Sequence, residues 1–449
     1  MKKTLSMQTS GKTMTDQFLL RKRKSMTNLR NSENKGEEEK SKKSSNKKIP
    51  NLFDINSKKT CVLLFVLSTV SYLGIAIITS GLSVFDHTAA LYLSQHASHI
   101  QVPLLKRFFE AWTRWDAIYF VDMSLQKRLF EQQWAFSDVW SALIRSVCFG
   151  SQDVIILGLT ACFLAIGLHA IAALAFYYTT NAVFSDKQMS VLSVVFYLFS
   201  PAGIFMSVGY AESAFAACSF LGLLCYVQKR QTLAAGFWSL STLFRSNGLF
   251  WSLLFVLPTV EICLSLVKRK IEFSKFFKIA FMNGCRCIGI AFPFFYGQFQ
   301  AYKTFCPRAS WCLSYLPLIY PIIQRKYWDV GFLRYWTPNN IPNFFLACIT
   351  VIPLIFSLWY SLSTASKDTT MRYLFILSLF YLYLGLFQMH TQVLNRLSSS
   401  FPLLYWTLAH AQLQRKSLHV QKLTKIIFFS WVLYTLIQAG LYGSFLPPA

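Results

Sequence analysis

From residue 61 onward the sequence is built of apolar blocks, most of them close to twenty residues long, separated by short polar stretches. A helix of that length matches the hydrocarbon thickness of a bilayer, where the backbone finds no water to bond with. A membrane β-barrel would need strands of about ten residues with alternating polarity, and no such alternation recurs here. The chain therefore reads as an all-α polytopic membrane protein. Composition agrees, with 54% of residues hydrophobic, 17% aromatic and only 14% charged.

Spans are expected near 61–85, 153–178, 189–208, 212–228, 232–248, 249–267, 276–300, 341–362, 371–389, 397–413 and 424–444, about eleven in all. If the N-terminus is cytosolic, "VQKRQ" (227–231), "VKRKIEFSK" (267–275), "ASKDTTMR" (365–372) and "QRKSLHVQK" (414–422) share its side. All four are basic, as the positive-inside bias requires. The opposite, luminal side receives two large loops, 86–152 and 301–340, and the turns that carry Glu212, His390 and Arg396. Residues 1–59 carry 16 Lys/Arg against 6 Asp/Glu and cannot bury a core. They read as a disordered basic cytosolic tail ahead of a multi-spanning domain at 60–449. The net charge of +25 lies mainly in that tail and at block ends, so it reports topology and not nucleic-acid binding. Most cysteines sit inside apolar blocks, where a thiol is a small hydrophobe. Cys306 and Cys312, in a polar loop, could pair in an oxidising lumen or stay as free thiols.

Within "FFEAWTRWDAIYFVDMS" (108–124), a continuous helix would set Phe109, Trp112, Asp116, Phe120 and Met123 on one face. A carboxylate in such a stripe needs a partner or a chemical task. The stretches 104–124 and 131–147 have the look of amphipathic helices lying along the membrane surface. Asp116 is thus the leading candidate for a general base, and Glu131 a secondary acidic candidate. Arg114, Asp122, Lys127 and Arg128 read as a solvated face. Among the spans, ionisable residues are functional candidates because they are expensive in lipid. Glu212 follows the loosened "FSPAGIFMSVGYA", Arg245 and Asn247 lie in "LFRSNGLF", and "HTQVLNR" adds His390, Gln392 and Arg396. Converging cations and amides of this kind suit a phosphate, with a Glu212–Arg245 ion pair as the plain structural alternative. No GxxxxGK[ST], HExxH or GxSxG occurs, and the histidines lack metal-ligand spacing. No polar segment is long enough for a soluble nucleotide-sugar domain, so an enzyme of this kind would draw both substrates from the membrane.

The blocks "TRWDAIYFV" (113–121), "FSPAGIFMSVGYAES" (199–213), "RSNGLFW" (245–251) and "QVLNRLSSSFPLLYW" (392–406) resemble, in order, those of the PIG-V family of GPI mannosyltransferase 2. The resemblance spans most of 61–449. It implies a GT-C type fold whose first large luminal loop carries an acidic catalytic residue, in a multi-pass protein of the endoplasmic reticulum. It also implies inverting transfer of the second mannose, α-1,6 linked, from dolichyl phosphate mannose to a one-mannose GPI precursor. In that reading Asp116 is the general base, and Trp115, Glu212, Arg245, Asn247, His390, Gln392 and Arg396 bind substrate or phosphate. No metal or other cofactor is called for, and a small accessory membrane subunit is a partner the family suggests. One departure stands out. Relatives often carry a pattern near "EHxxAFFPxxP", whereas "EQQWAFSDVWSAL" (131–143) keeps Glu131, Ala135 and Phe136 but lacks the histidine and prolines. The alternative classes are a non-catalytic membrane subunit of the GPI pathway and a lipid transporter.

Overall fold

The computed structural model describes residues 58–82, 84–96, 101–364, 368–414 and 417–447, all helical or irregular, with no strand among them. The expected tail lies outside these residues, apart from Lys58 and Lys59, which open the first helix. In chain order the helices are α1 (Lys58–Ser80), α2 (Thr88–His96), α3 (Pro103–Trp112), α4 (Asp116–Leu125), α5 (Asp138–Val147) and α6 (Val154–Phe184). Then come α7 (Lys187–Leu198), α8 (Glu212–Val227), α9 (Gln231–Phe244), α10 (Leu253–Val267), α11 (Phe273–Phe305) and α12 (Ile319–Trp328). Last are α13 (Ile341–Thr364), α14 (Thr369–Phe387), α15 (Val393–Leu397), α16 (Pro402–Leu413) and α17 (Leu418–Gly443).

Among the described residues seven helical stretches are long and apolar enough to cross a bilayer: Lys58–Ser80, Val154–Phe184, Ser246–Val267, Phe273–Phe305, Pro338–Ser363, Thr369–Phe387 and Leu418–Gly443. The other four expected spans are present as shorter helices, α7, α8, α9 and α16, of 12, 16, 14 and 12 residues. At about 1.5 Å per residue these reach only roughly 18–24 Å, short of the ~30 Å hydrocarbon core. Each has one end at a break in the helix: α7 ends ahead of Ser200-Pro201, α8 starts at Glu212, α9 ends ahead of Arg245-Ser246, and α16 starts at Pro402. Irregular backbone at membrane depth is tolerated where it lines a protein cavity. Here α7, α8 and α16 are buried on nearly every side and form the centre of the bundle.

Contacts pair helix ends that the charge bias assigns to one side. Lys58 donates to Tyr178 Oη (3.3 Å), Tyr373 to Glu261 (2.7 Å) and Thr424 to Gln412 (2.6 Å). At the opposite ends, Phe85 N–H reaches the Ser444 carbonyl (3.0 Å) and Leu333 N–H that of Phe387 (2.7 Å).

The first polar segment corrects two expectations. Residues 104–124 are two helices and not one, because α3 ends at Trp112 and α4 starts at Asp116. At the join Trp115 takes a φ of 53°, unusual for any residue but glycine and strained for so large a side chain. The shared stripe is therefore split. Phe109, Phe120 and Met123 enter the core with Trp140 and Ile144, while Asp116 turns elsewhere. The expected solvated face is also largely pinned. Arg114 is 3% exposed, its Nε donating to the Glu110 carbonyl, and Asp122 accepts from Gln133 (2.9 Å) and Gln126 (3.1 Å). In the second polar segment α11 runs on to Phe305, and Cys306 is disulfide-bonded to Cys312.

Gly248, just after the Arg245-Ser246 break, packs directly against backbone. A Cβ there would lie 2.4 Å from the Thr242 backbone nitrogen, which cannot move without α9. Gly248→Ala is expected to destabilise by about 1–3 kcal/mol, as overpacking commonly does, measured by thermal unfolding in detergent.

Candidate functional site

The breaks in the short helices meet around a cavity of about 740 Å³. Its walls include Asp116 at the start of α4, Glu212 at the start of α8, Arg245 and Asn247 after α9, His390 and Gln392 ahead of α15, and Arg396 within it. Phe136 and Ser137 from the first polar segment, and Tyr320, Gln324 and Trp328 from α12, complete it.

Each wall is held by a buried polar anchor. Tyr442 accepts a hydrogen bond from Arg114 N–H (3.2 Å) and donates toward the Trp112 carbonyl (3.0 Å), which fixes the turn before Asp116. Asp116 N–H itself donates to Tyr210 Oη (3.2 Å). Gln438 donates to the Pro201 carbonyl (3.0 Å) and accepts from Ile204 N–H (3.1 Å), which fixes the break after α7. Asn395, fully buried, donates to the Leu346 carbonyl (3.0 Å) and Tyr434 Oη (2.8 Å), and accepts from Thr350 (2.7 Å). That sets the direction of the adjoining Arg396. The segment carrying Arg245 is fixed by Trp251, which stacks on Trp238 at 5.2 Å and donates to Ser219 Oγ (3.0 Å).

Four charges follow from this scaffold. The Glu212 carboxylate, 1% exposed, is paired with Arg245 and with Arg396 (2.5 Å). Arg396 also reaches Asp116 at 2.7 Å, and its guanidinium lies over the rings of Phe205 (5.1 Å) and Tyr210 (5.0 Å). Two carboxylates and two guanidiniums thus balance, as buried charges must. They differ in access, however. The Asp116, Arg396 and Arg245 side chains are 24%, 21% and 17% exposed toward the cavity, while Glu212 lies beneath them. The expected Glu212–Arg245 pair is real, and it is one part of a larger array. A carboxylate at the surface with guanidiniums beside it can accept a proton from one group while stabilising negative charge on another.

His390 Nε2–H donates to the Trp328 carbonyl (2.6 Å), and its ring stacks on Tyr335 at 4.3 Å. Burial lowers its pKa below the ordinary imidazole value. Eight of the nine sequence-nominated residues, Trp115 included, line this one cavity; Glu131 does not. It is bound instead by Lys326 (2.5 Å), Tyr327 (3.0 Å) and Trp311 (3.2 Å). Among the described residues no three His, Cys, Asp or Glu side chains gather in a set able to hold a metal. Sequence reasoning missed Tyr434, Gln438 and Tyr442. They recur every fourth residue on one face of α17, a spacing of polar groups in an apolar span that could have flagged them.

Removing the Glu212 charge strands two guanidiniums. Glu212→Gln is expected to cost about 3–5 kcal/mol, the usual result of stripping one partner from a buried pair. Asp116→Asn, at a partly exposed carboxylate, is expected to cost roughly 1 kcal/mol or less. Thermal unfolding of the two variants in detergent reads the contrast.

The sequence profile of the family described as Mannosyltransferase (PIG-V) matches residues 58–370 and 367–449. "GPI mannosyltransferase 2" of Schizosaccharomyces pombe is 51% identical over 396 residues, covering 87% of this chain and 85% of that one. The protein of the same name from Yarrowia lipolytica is 33% identical over 347 residues, with 76% and 89% covered. That from Gibberella zeae is 34% identical over 374 residues, with 75% and 85% covered. The matched residues include every cavity wall described above, and the chain belongs to the PIG-V mannosyltransferase family.

Proposed function

We propose that this mannosyltransferase moves a mannose from dolichyl phosphate mannose to the one-mannose GPI precursor, forming an α-1,6 link at the luminal face of the endoplasmic reticulum. The observation that carries this reading is the placement of Asp116, Arg396 and Arg245 on one wall of a single cavity among the helix ends. Asp116 takes the proton from the acceptor hydroxyl as its oxygen attacks the anomeric carbon. The bond from that carbon to the phosphate oxygen breaks, and dolichyl phosphate leaves with the electron pair. Arg245 and Arg396 stabilise the charge that gathers on it. One displacement inverts configuration, from a β-linked donor to an α-linked product. The leaving group is already a phosphate, so the scheme asks for no general acid, metal or cofactor. The relatives' names support GPI mannosylation. The basic loops support a cytosolic N-terminus, and a Cys306–Cys312 disulfide suits an oxidising lumen. The luminal loops are then 86–152 and 301–340, and a small accessory membrane subunit is the partner to restore if the isolated chain is inactive.

Microsomes from cells lacking the protein, supplied with radiolabelled donor and one-mannose precursor, test the scheme. Wild type is expected to yield the two-mannose lipid, and Asp116→Asn at matched protein level to lose about 10²–10⁴-fold in rate, the usual worth of a general base. Equal product from both would move the base elsewhere. A non-catalytic subunit or a transporter would yield none with any partner subunit.

A further inference from the structure

α12 is a helix of ten residues, too short to persist alone in water, yet it supplies Tyr320, Gln324 and Trp328 to the cavity. Something must seat it. Ile319 and Ile323 pack with Ala301 and Trp311 in a small apolar cluster of their own. Its first turn is held by Gln298, which accepts from Tyr320 N–H (2.9 Å), and by Ser246, which donates to Tyr320 Oη (2.9 Å). The Trp328 carbonyl takes the His390 N–H. The last turn is held by Glu131. One carboxylate oxygen accepts from Lys326 (2.5 Å) and Tyr327 (3.0 Å), and the other from Trp311 (3.2 Å). Trp311 adjoins Cys312, which the disulfide ties to the end of α11. Burial opposes charge on Glu131, but Lys326 and Tyr327 outweigh it and hold the carboxyl below its usual range. Glu131 also stands four residues before Ala135, where the cavity wall next to α12 begins, and Phe136 of that wall meets the Trp328 ring at 6.0 Å.

We propose that Glu131 is a positioning residue that latches α12 to the adjoining 131–137 segment at the edge of the cavity, and that it sets how firmly the lipid-borne acceptor is held without exchanging a proton with it. This rests on the mannosyl-transfer reading above. Both carboxylate oxygens already have donors, and the residue is not part of the cavity wall. A role as acid or base is therefore disfavoured by geometry. The latch joins three separate stretches of chain: the 131–137 wall, the 306–314 loop and α12.

The test uses the full-length protein in microsomes or detergent, with Glu131→Gln, Lys326→Glu and the exchanged pair E131K/K326E. Glu131→Gln is expected to raise the apparent KM for the one-mannose acceptor roughly three- to ten-fold, the worth of a charge-assisted hydrogen bond whose cation is exposed to solvent, with kcat changed about two-fold or less. Lys326→Glu sets two carboxylates together and is expected to do at least as much. The exchanged pair recovers part of the loss. Hydrogen exchange of amides 319–328 should quicken in the single variants, a readout independent of turnover. A Glu131→Gln variant that loses about 10²-fold or more in kcat at unchanged KM and exchange would overturn the latch in favour of proton transfer. Unchanged KM and exchange in both single variants would also overturn it. If wild type forms no product even with partner subunits restored, the transfer reading fails, and the exchange measurement alone decides the latch.

Discussion

Glu212 is the point on which the site turns. A carboxylate 1% exposed at the start of a helix deep in an apolar bundle is intolerable alone, and two guanidiniums make it tolerable. In return, it fixes both of them. Arg396 is thereby brought within 2.7 Å of Asp116, so the one carboxylate most open to the cavity has a cation beside it. The helix start adds to this, since Glu212 lies in the first turn of α8, where the helix dipole favours a negative charge.

The rest of the bundle serves to bring four sequence-distant breaks to the same place. α7, α8, α9 and α16 all stop short, and their irregular ends supply the cavity instead of more helix. Stopping short leaves backbone groups to satisfy in an apolar setting, and much of that task falls to α17. Tyr434, Gln438 and Tyr442, spaced by four residues, bond respectively to Asn395, to the Pro201–Ile204 backbone and to the Trp112–Arg114 backbone. One helix face thus holds three of the four motif segments in mutual register.

Much of this is legible in the sequence because a charge in an apolar block stands out. Asp116, Glu212, Arg245 and Arg396 are conspicuous for that reason, and the structure gathers them. The anchors are less visible, since tyrosine passes for an apolar residue in a span and only its hydroxyl partner reveals the role. The break at 113–115 was hidden for a different reason. No proline or glycine marks it, and it exists because tyrosines 210 and 442, remote in sequence, bind its backbone. Arg114 and Asp122 looked solvated because their partners, Glu110, Gln126 and Gln133, act through backbone and amide groups that carry no pattern. Helix length misled too. A block twenty residues long can be half helix and half cavity wall, and hydropathy does not separate the two.

The most direct test of the account is a double-mutant cycle between Glu212 and Arg396 on the rate of mannosyl transfer. If Glu212 acts by holding Arg396 in place, Glu212→Gln and Arg396→Gln remove the same contribution. The combined variant is then expected to be no slower than the worse single one, a coupling well beyond the usual additivity of distant sites. If the losses instead multiply, the two residues act independently, and the buried array is not what positions the site.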